Sequence, residues 1–235
     1  NLLFQNLLQE GLGGVIFFAQ NLKNRDKFKN LMEEINSKSP IPTFLSIDQE
    51  GGLVERTIKL DKKVNYLTPF ALSQSENTDL IEQHTEIMAH DLLDLGINMD
   101  FNPLLDVNTN PYNPVIGVRS FSQDTAKVEQ YSKIVYEALS ENSIIPVGKH
   151  FPGHGAASVD SHFDMPQINM NMDELENIHI KPFISAINNN IDALMVAHVN
   201  YTAFNRETIP ASLSKEVISD YLINKLNFNG LVISD

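Results

Sequence analysis

The 235-residue chain has no cysteine, no tryptophan, few cations and no long apolar run. Without cysteine there is no disulfide, no thiolate zinc ligand and no thiol nucleophile, although the compartment stays open, because disulfide-free proteins work on both sides of a membrane. Seventeen Lys and Arg face 30 Asp and Glu, a formal charge of −13. With no basic run interleaved with aromatics, nucleic acid and anionic membrane surfaces are poor partners. No segment reaches the roughly 20 apolar residues that span a bilayer, so no membrane insertion is expected of this segment. The absence of tryptophan weakens the case for a simple sugar-stacking surface, and the Phe and Tyr residues of the amphipathic stretches read as core. Gly-x-Gly-x-x-Gly after the first apolar run and the Walker pattern are both missing, which removes the usual nucleotide folds.

What remains is a regular alternation of short apolar runs and longer amphipathic stretches, with 42% hydrophobic residues to fill a core. Residues 14–18, 43–47, 97–101, 144–147, 193–197 and 231–234 are the candidate strands. Ile81, Met88, Leu92 and Leu95 share one helical face, as do Val128, Tyr131, Val135 and Leu139. Asp79, Asp124 and Asp173 stand near the expected helix starts, where a short polar side chain caps free amides. Such βα alternation predicts a parallel sheet. Polar or titratable groups follow four of the strands: Asp48-Gln49-Glu50, Lys149-His150, His198 and Asp235. A barrel gathers all its strand carboxyl ends on one face, whereas an open doubly wound sheet uses only those beside a switch point. The expectation is a (β/α)8 TIM-type barrel, with residues 1–235 forming one domain that is truncated on its C-terminal side.

The densest chemistry lies in Lys149–His162, KHFPGHGAASVDSH, where Pro152, Gly153 and Gly155 stop strand and helix alike. His150, His154, Asp160 and His162 are of a type that suits zinc or iron. Alternatively, Asp160 orients His162 as a general acid/base that titrates near neutrality. Residue types alone leave both readings open. His84, His90 and His179 fall within helical stretches and read as ordinary surface or core residues. Asp48 either closes an Asx turn or joins Glu50 and Arg56 in gripping a polar ligand. Asp235 either caps a following helix or faces the site as a carboxylate. Arg119, in a loop rich in Pro and Asn, either pairs with a surface acid or supplies a planar bidentate donor to a ligand.

Four segments together, Ile47–Gly52 with Val54 and Arg56, Val115–Phe121, Lys149–His162 and Gly230–Asp235, make the chain resemble the catalytic barrel of glycoside hydrolase family 3. The Asp160-Ser161-His162 loop is similar to its bacterial β-N-acetylglucosaminidase (NagZ-type) branch, and Leu53 departs from an Arg carried by many members. The resemblance implies a retaining exo-acting enzyme, free of metal and other cofactors, that releases terminal β-linked N-acetylglucosamine from muropeptides or chitin-type oligosaccharides. It assigns Asp235 as nucleophile and His162, oriented by Asp160, as acid/base. Asp48, Arg56, Arg119, Lys149 and His150 are implied to hold the sugar hydroxyls. A neutral-sugar glycosidase of the same family, a sugar-binding protein without turnover and a metal-dependent hydrolase are the alternatives. Because the chain stops after six candidate strands, it is expected to be a piece of a longer polypeptide.

Overall fold

The computed structural model describes residues 2–60, 65–158, 166–204 and 207–235. Six parallel strands form one sheet in strict chain order: β1 (Gly14–Phe17), β2 (Phe44–Ile47), β3 (Met99–Asp100), β4 (Ile145–Phe151), β5 (Ala193–Val196) and β6 (Leu231–Ser234). The sheet curls into a half-barrel, and every crossover carries a helix. After α1 (Leu2–Glu10), these are α2 (Arg25–Lys38), the short α3 (Pro69–Gln74) with α4 (Thr78–Asp94), α5 (Thr125–Glu141), α6 (172–188) and α7 (Glu216–Lys225). Turns 175–180 of α6 and the whole of α7 are π-helical. Among the described residues no helix is long and apolar enough to cross a membrane.

All six expected strands are present, each shifted by only a residue or two except the fourth. That strand runs on through Phe151 rather than ending at Val147, so Lys149 and His150 belong to the strand itself and not to the loop beyond it. Helix caps need a similar correction. Asp124 caps α5 by accepting from the Ala126 amide, but Asn77 caps α4 and Asn171 caps α6, which puts Asp79 and Asp173 inside first turns. Asn and Asp are nearly equivalent caps, and the residue whose backbone is still extended takes the role.

Two apolar layers hold the helices to the sheet. One joins β1 and β2 to α2, α4 and α5 through residues such as Phe28, Ile47, Leu92 and Val135. The other joins β4 and β5 to α6 and α7 around Phe151, Phe183, Val196 and Leu222. The two periodic faces read from the sequence, Ile81 to Leu95 and Val128 to Leu139, are buried. Removing side chains of this size from water contributes roughly 1.5–3 kcal/mol each. A third cluster, Met99, Phe101, Val147, Ala193 and Met195, packs on the opposite, inner face of the sheet.

Strand alternation explains what stands above that inner cluster. Side chains two residues apart share a face, so Ile16 is followed by Phe18, Ser46 by Asp48, Val147 by Lys149 and Ile233 by Asp235. Apolar residues and Ser46, whose Oγ donates to Val15 O, fill the inside of the sheet, and the next residue on the same face, at the strand's carboxyl end, is polar in three of these columns.

Candidate active site

These strand ends line a pocket of ≈ 410 Å³ in which Asp48, Arg56, Arg119, Lys149, His150 and Asp235 come together. Phe18, Phe101 and Met195 supply its apolar wall. Six of the site residues read from the sequence are thus gathered in one place, while Asp160 and His162 lie outside the described residues. His198 points elsewhere, its Nδ1 standing 2.8 Å from Ser212 Oγ. A larger depression, ≈ 590 Å³, skirts the first turns of α6 but lacks any such convergence of charge.

The buried floor is an ion network. Lys149, 1% exposed, places Nζ 2.6 Å from Glu50 Oε1 and 2.9 Å from Asp48 Oδ1. Arg119 donates from Nε and Nη2 to the two Glu50 oxygens at 2.8 and 2.7 Å, and from Nη1 to Val115 O at 3.0 Å. Burial alone would raise the Glu50 and Asp48 carboxyls, but Lys149, with Arg119 or Arg56 beside it, outweighs burial and holds both below the ordinary range. Burial likewise favours a neutral Lys149, yet its two carboxylates keep it charged and raise its pKa. Arg119 therefore pairs with a fully buried acid, not a surface one, and Glu50 joins the Asp48–Arg56 pair through Lys149.

Asp48 is only partly committed. Arg56 reaches it at 3.4 Å, a long contact, and lays its guanidinium 5.9 Å from the centre of the Phe18 ring. The Arg56 Nε is buried and has no hydrogen-bond partner among the described residues. A carboxylate and a loosely held guanidinium lining one pocket suit a ligand that both donates and accepts, as vicinal hydroxyls do.

A second cluster centres on Asp106, a residue the sequence reading missed. Its fully buried carboxylate accepts from His150 Nδ1 at 2.7 Å, from the His150 amide at 3.2 Å and from the His154 amide at 2.6 Å. Burial pushes this carboxyl up, but the two histidines more than compensate and bring it down to about 2. With Nδ1 engaged by a carboxylate, the remaining hydrogen-bonding atom of His150 is Nε2, in a pocket that the ring lines. The signal for Asp106 was present, since an apolar Leu104-Leu105 pair precedes it much as strand residues precede Asp48, but the Pro103 break masks the pattern.

The glycine-rich loop closes the wall. Gly155 passes so near the backbone after β3 that a Cβ there would lie 1.8 Å from Val107 O, and Gly153 sits at φ +127° against His179. Tyr201 Oη donates to Gly153 O at 2.9 Å, and Asn113 Nδ2 to His154 O at 2.9 Å. His154 and His179 are buried, and burial holds both imidazoles below their ordinary pKa. Of the helical histidines, His179 is core, and His84 Nε2 accepts from the Leu67 amide at 3.0 Å. Asp235 closes the ring of residues: its amide donates to Val196 O at 3.0 Å, and the residue is exposed at the mouth.

A curled parallel βα sheet with a charged pocket beyond its strand ends defines a barrel-type scaffold of the kind that carries chemistry on that face. The chain belongs to glycosyl hydrolase family 3, whose N terminal domain matches residues 3–235. It is 33% identical to a beta-hexosaminidase of Tolumonas auensis, over 95% of this chain and 66% of that protein. A beta-hexosaminidase of Neisseria gonorrhoeae is 31% identical, over 98% of this chain and 64% of that protein. Among solved structures, a family 3 beta-N-acetylglucosaminidase of Paenibacillus sp. superposes with a TM-score of 0.90 at 34% identity, over 97% of this chain and 44% of its own. NagZ of Neisseria gonorrhoeae, bound to N-trifluoroacetyl-D-glucosamine, superposes with a TM-score of 0.90 at 30% identity, over 98% of this chain and 69% of its own. The chain spans just under two thirds of the length of both curated relatives.

Proposed function

We propose that this chain carries the catalytic and sugar-binding residues of a retaining exo-β-N-acetylglucosaminidase acting on muropeptides or chitin-type oligosaccharides. The observation that carries the reading is the single strand-end pocket uniting Asp235 with the Asp48, Arg56, Lys149 and His150 groups, in a chain whose relatives are named for this activity. Two further βα units after β6 would complete the (β/α)8 barrel, pairing with the free edges of β1 and β6.

In this reading the sugar ring rests on the apolar wall, and its hydroxyls exchange hydrogen bonds with Asp48, Arg56 and His150. Lys149 and Glu50 act from beneath by fixing Asp48 and Arg119. The Asp235 carboxylate attacks the anomeric carbon while His162, oriented by Asp160, gives its proton to the departing glycosidic oxygen. The glycosyl-aspartate ester that results is opened by water, whose proton returns to His162 as the sugar leaves with the new hydroxyl. A histidine in the second role avoids a further anion beside the nucleophile, and its ordinary pKa suits both directions of transfer near neutrality.

The test is the release of a chromogenic leaving group by the intact protein from a β-N-acetylglucosaminide and from the matched β-glucoside. The expected result is a preference for the acetamido sugar of about a hundredfold or more, with turnover abolished by Asp235→Asn. Equal rates on both sugars would move the enzyme to the neutral-sugar branch of the family. Sugar binding without turnover of either would leave a binding protein.

A further inference from the structure

We infer that Gln49, which no step of the proposed mechanism uses, is the positioning residue that sets the spacing of Asp48 and Arg56, the carboxylate and the guanidinium offered to the sugar. The inference rests on the proposed activity for the identity of the ligand.

Those two groups cannot set their own spacing. Their contact is long, 3.4 Å, between side chains that are 18% and 30% exposed, and ion pairs open to water hold their geometry weakly. The backbone between them is a hairpin with only two paired positions, Gln49 with Glu55 and Gly51 with Val54, and an irregular register. A ladder that short has little stability of its own.

Gln49 supplies what the ladder lacks. The residue is fully buried, and its side-chain amide is engaged at both ends. Oε1 accepts from the Arg56 amide at 2.9 Å and from the Thr57 amide at 3.2 Å, while Nε2 donates to Thr57 Oγ1 at 3.0 Å. Its main chain is held from β3 and the residues just beyond it: the Gln49 amide donates to Asp100 Oδ1 at 2.9 Å, and Asn102 Nδ2 donates to Gln49 O at 3.2 Å. The main chain thus ties the residue next to Asp48 to the sheet, and the side chain ties Arg56 to that same residue.

The position is chemically demanding. Asparagine, one methylene shorter, falls short of the 56–57 amides. Glutamate keeps the acceptor but loses the Nε2 donor. It also brings a further carboxylate to a place where burial, with Asp48 and Glu50 adding to it, already pushes the Asp100 carboxyl well above its ordinary range. Methionine matches glutamine in length but offers the two amides no oxygen. Gln49→Met therefore keeps the main-chain bonds and releases only Arg56 and Thr57.

The experiment is a double-mutant cycle on the intact protein, reading kcat/KM for a chromogenic β-N-acetylglucosaminide with Gln49→Met, Arg56→Ala and both together. The expected result is a loss of about 10- to 100-fold from Gln49→Met in the wild-type background, shrinking to less than about threefold once the Arg56 side chain is absent. A residue that merely supports the fold costs the same in both backgrounds, and that additive outcome would overturn the inference. A loss below about threefold in the wild-type background would overturn it as well. Thr57→Val frees only the far end of the Gln49 side chain; carried through the same cycle with the same limits, it decides the matter where Gln49→Met does not fold. Binding of N-acetylglucosamine without turnover would defeat the proposed activity, and the same cycle read as Kd then decides the inference. No binding of the sugar at all would overturn both.

Discussion

The two buried clusters beneath the pocket do similar work with opposite materials. Lys149, Glu50 and Arg119 form a network of permanent charges, each neutralised by a neighbour with an extreme intrinsic pKa. Asp106 anchors the other: one fully buried carboxylate accepts from the His150 ring and from the His150 and His154 amides. The first therefore fixes side chains by mutual neutralisation of several charges, whereas the second fixes a ring and a loop backbone through hydrogen bonds to one carboxylate.

Breaking the permanent-charge side should give the largest effect. Lys149→Met leaves Glu50 and Asp48 with a missing cation in a buried setting, and loss of one member of a buried ion pair costs roughly 3–5 kcal/mol. Chemical denaturation should show that loss. A change below about 1 kcal/mol would mean that the network is solvated and that the contrast with the histidine cluster fails.

Asp106→Asn comes next. The amide can still accept from one backbone N–H, but it no longer stabilises a charged or Nδ1-protonated His150, and the expected destabilisation is about 1–3 kcal/mol. Sugar binding through His150 should weaken at the same time, visible as a rise in KM larger than that caused by an isosteric change at a surface carboxylate. Unchanged KM with reduced stability would reduce Asp106 to a structural tie.

The smallest effect sharpens the comparison. His84, His154 and His179 are all held below their ordinary pKa by burial, so between the folded and unfolded values the unfolded chain binds protons that the native state refuses. Stability from these groups is complete above the unfolded value of about 6.5 and declines as pH falls below it. Asp106 behaves differently: its stabilisation is complete above about 4 in unfolded-chain terms and is lost only as pH falls toward about 2. Denaturant titrations between pH 7 and pH 5 should therefore show a shallow decline, and His154→Gln should flatten part of it. An unchanged slope in that variant would locate the sensitivity elsewhere.

Much of the scaffold was legible because parallel strands buried on both faces announce themselves as short apolar runs, and all six did. The polar residues at the ends of these runs, Asp48, Lys149, His150 and Asp235, come together as the lining of one pocket. The fourth strand was read too short because Lys149 and His150 look like loop residues until Asp48, Glu50 and Asp106 are known to neutralise and bond them. Asp106 was missed for a complementary reason: Pro103 masks the short apolar run before it, and its partners lie 44 and 48 residues away. The Glu50–Arg119 pair, 69 residues apart, was assigned to the wrong neighbours. Local chemistry writes caps and strands into the sequence, whereas long-range pairing is decided by the curl of the sheet.

The strict chain order of the sheet has a consequence for synthesis. Each strand can dock on its predecessor as it leaves the ribosome, so the sheet can grow in one direction without waiting for distant partners. The ion network cannot, because Asp48 and Lys149 are 101 residues apart, a delay of roughly 5–20 s at ordinary rates of translation. During that interval Asp48 is balanced by Arg56 alone and Glu50 by Arg119, and only the arrival of the lysine ties the two pairs into one network.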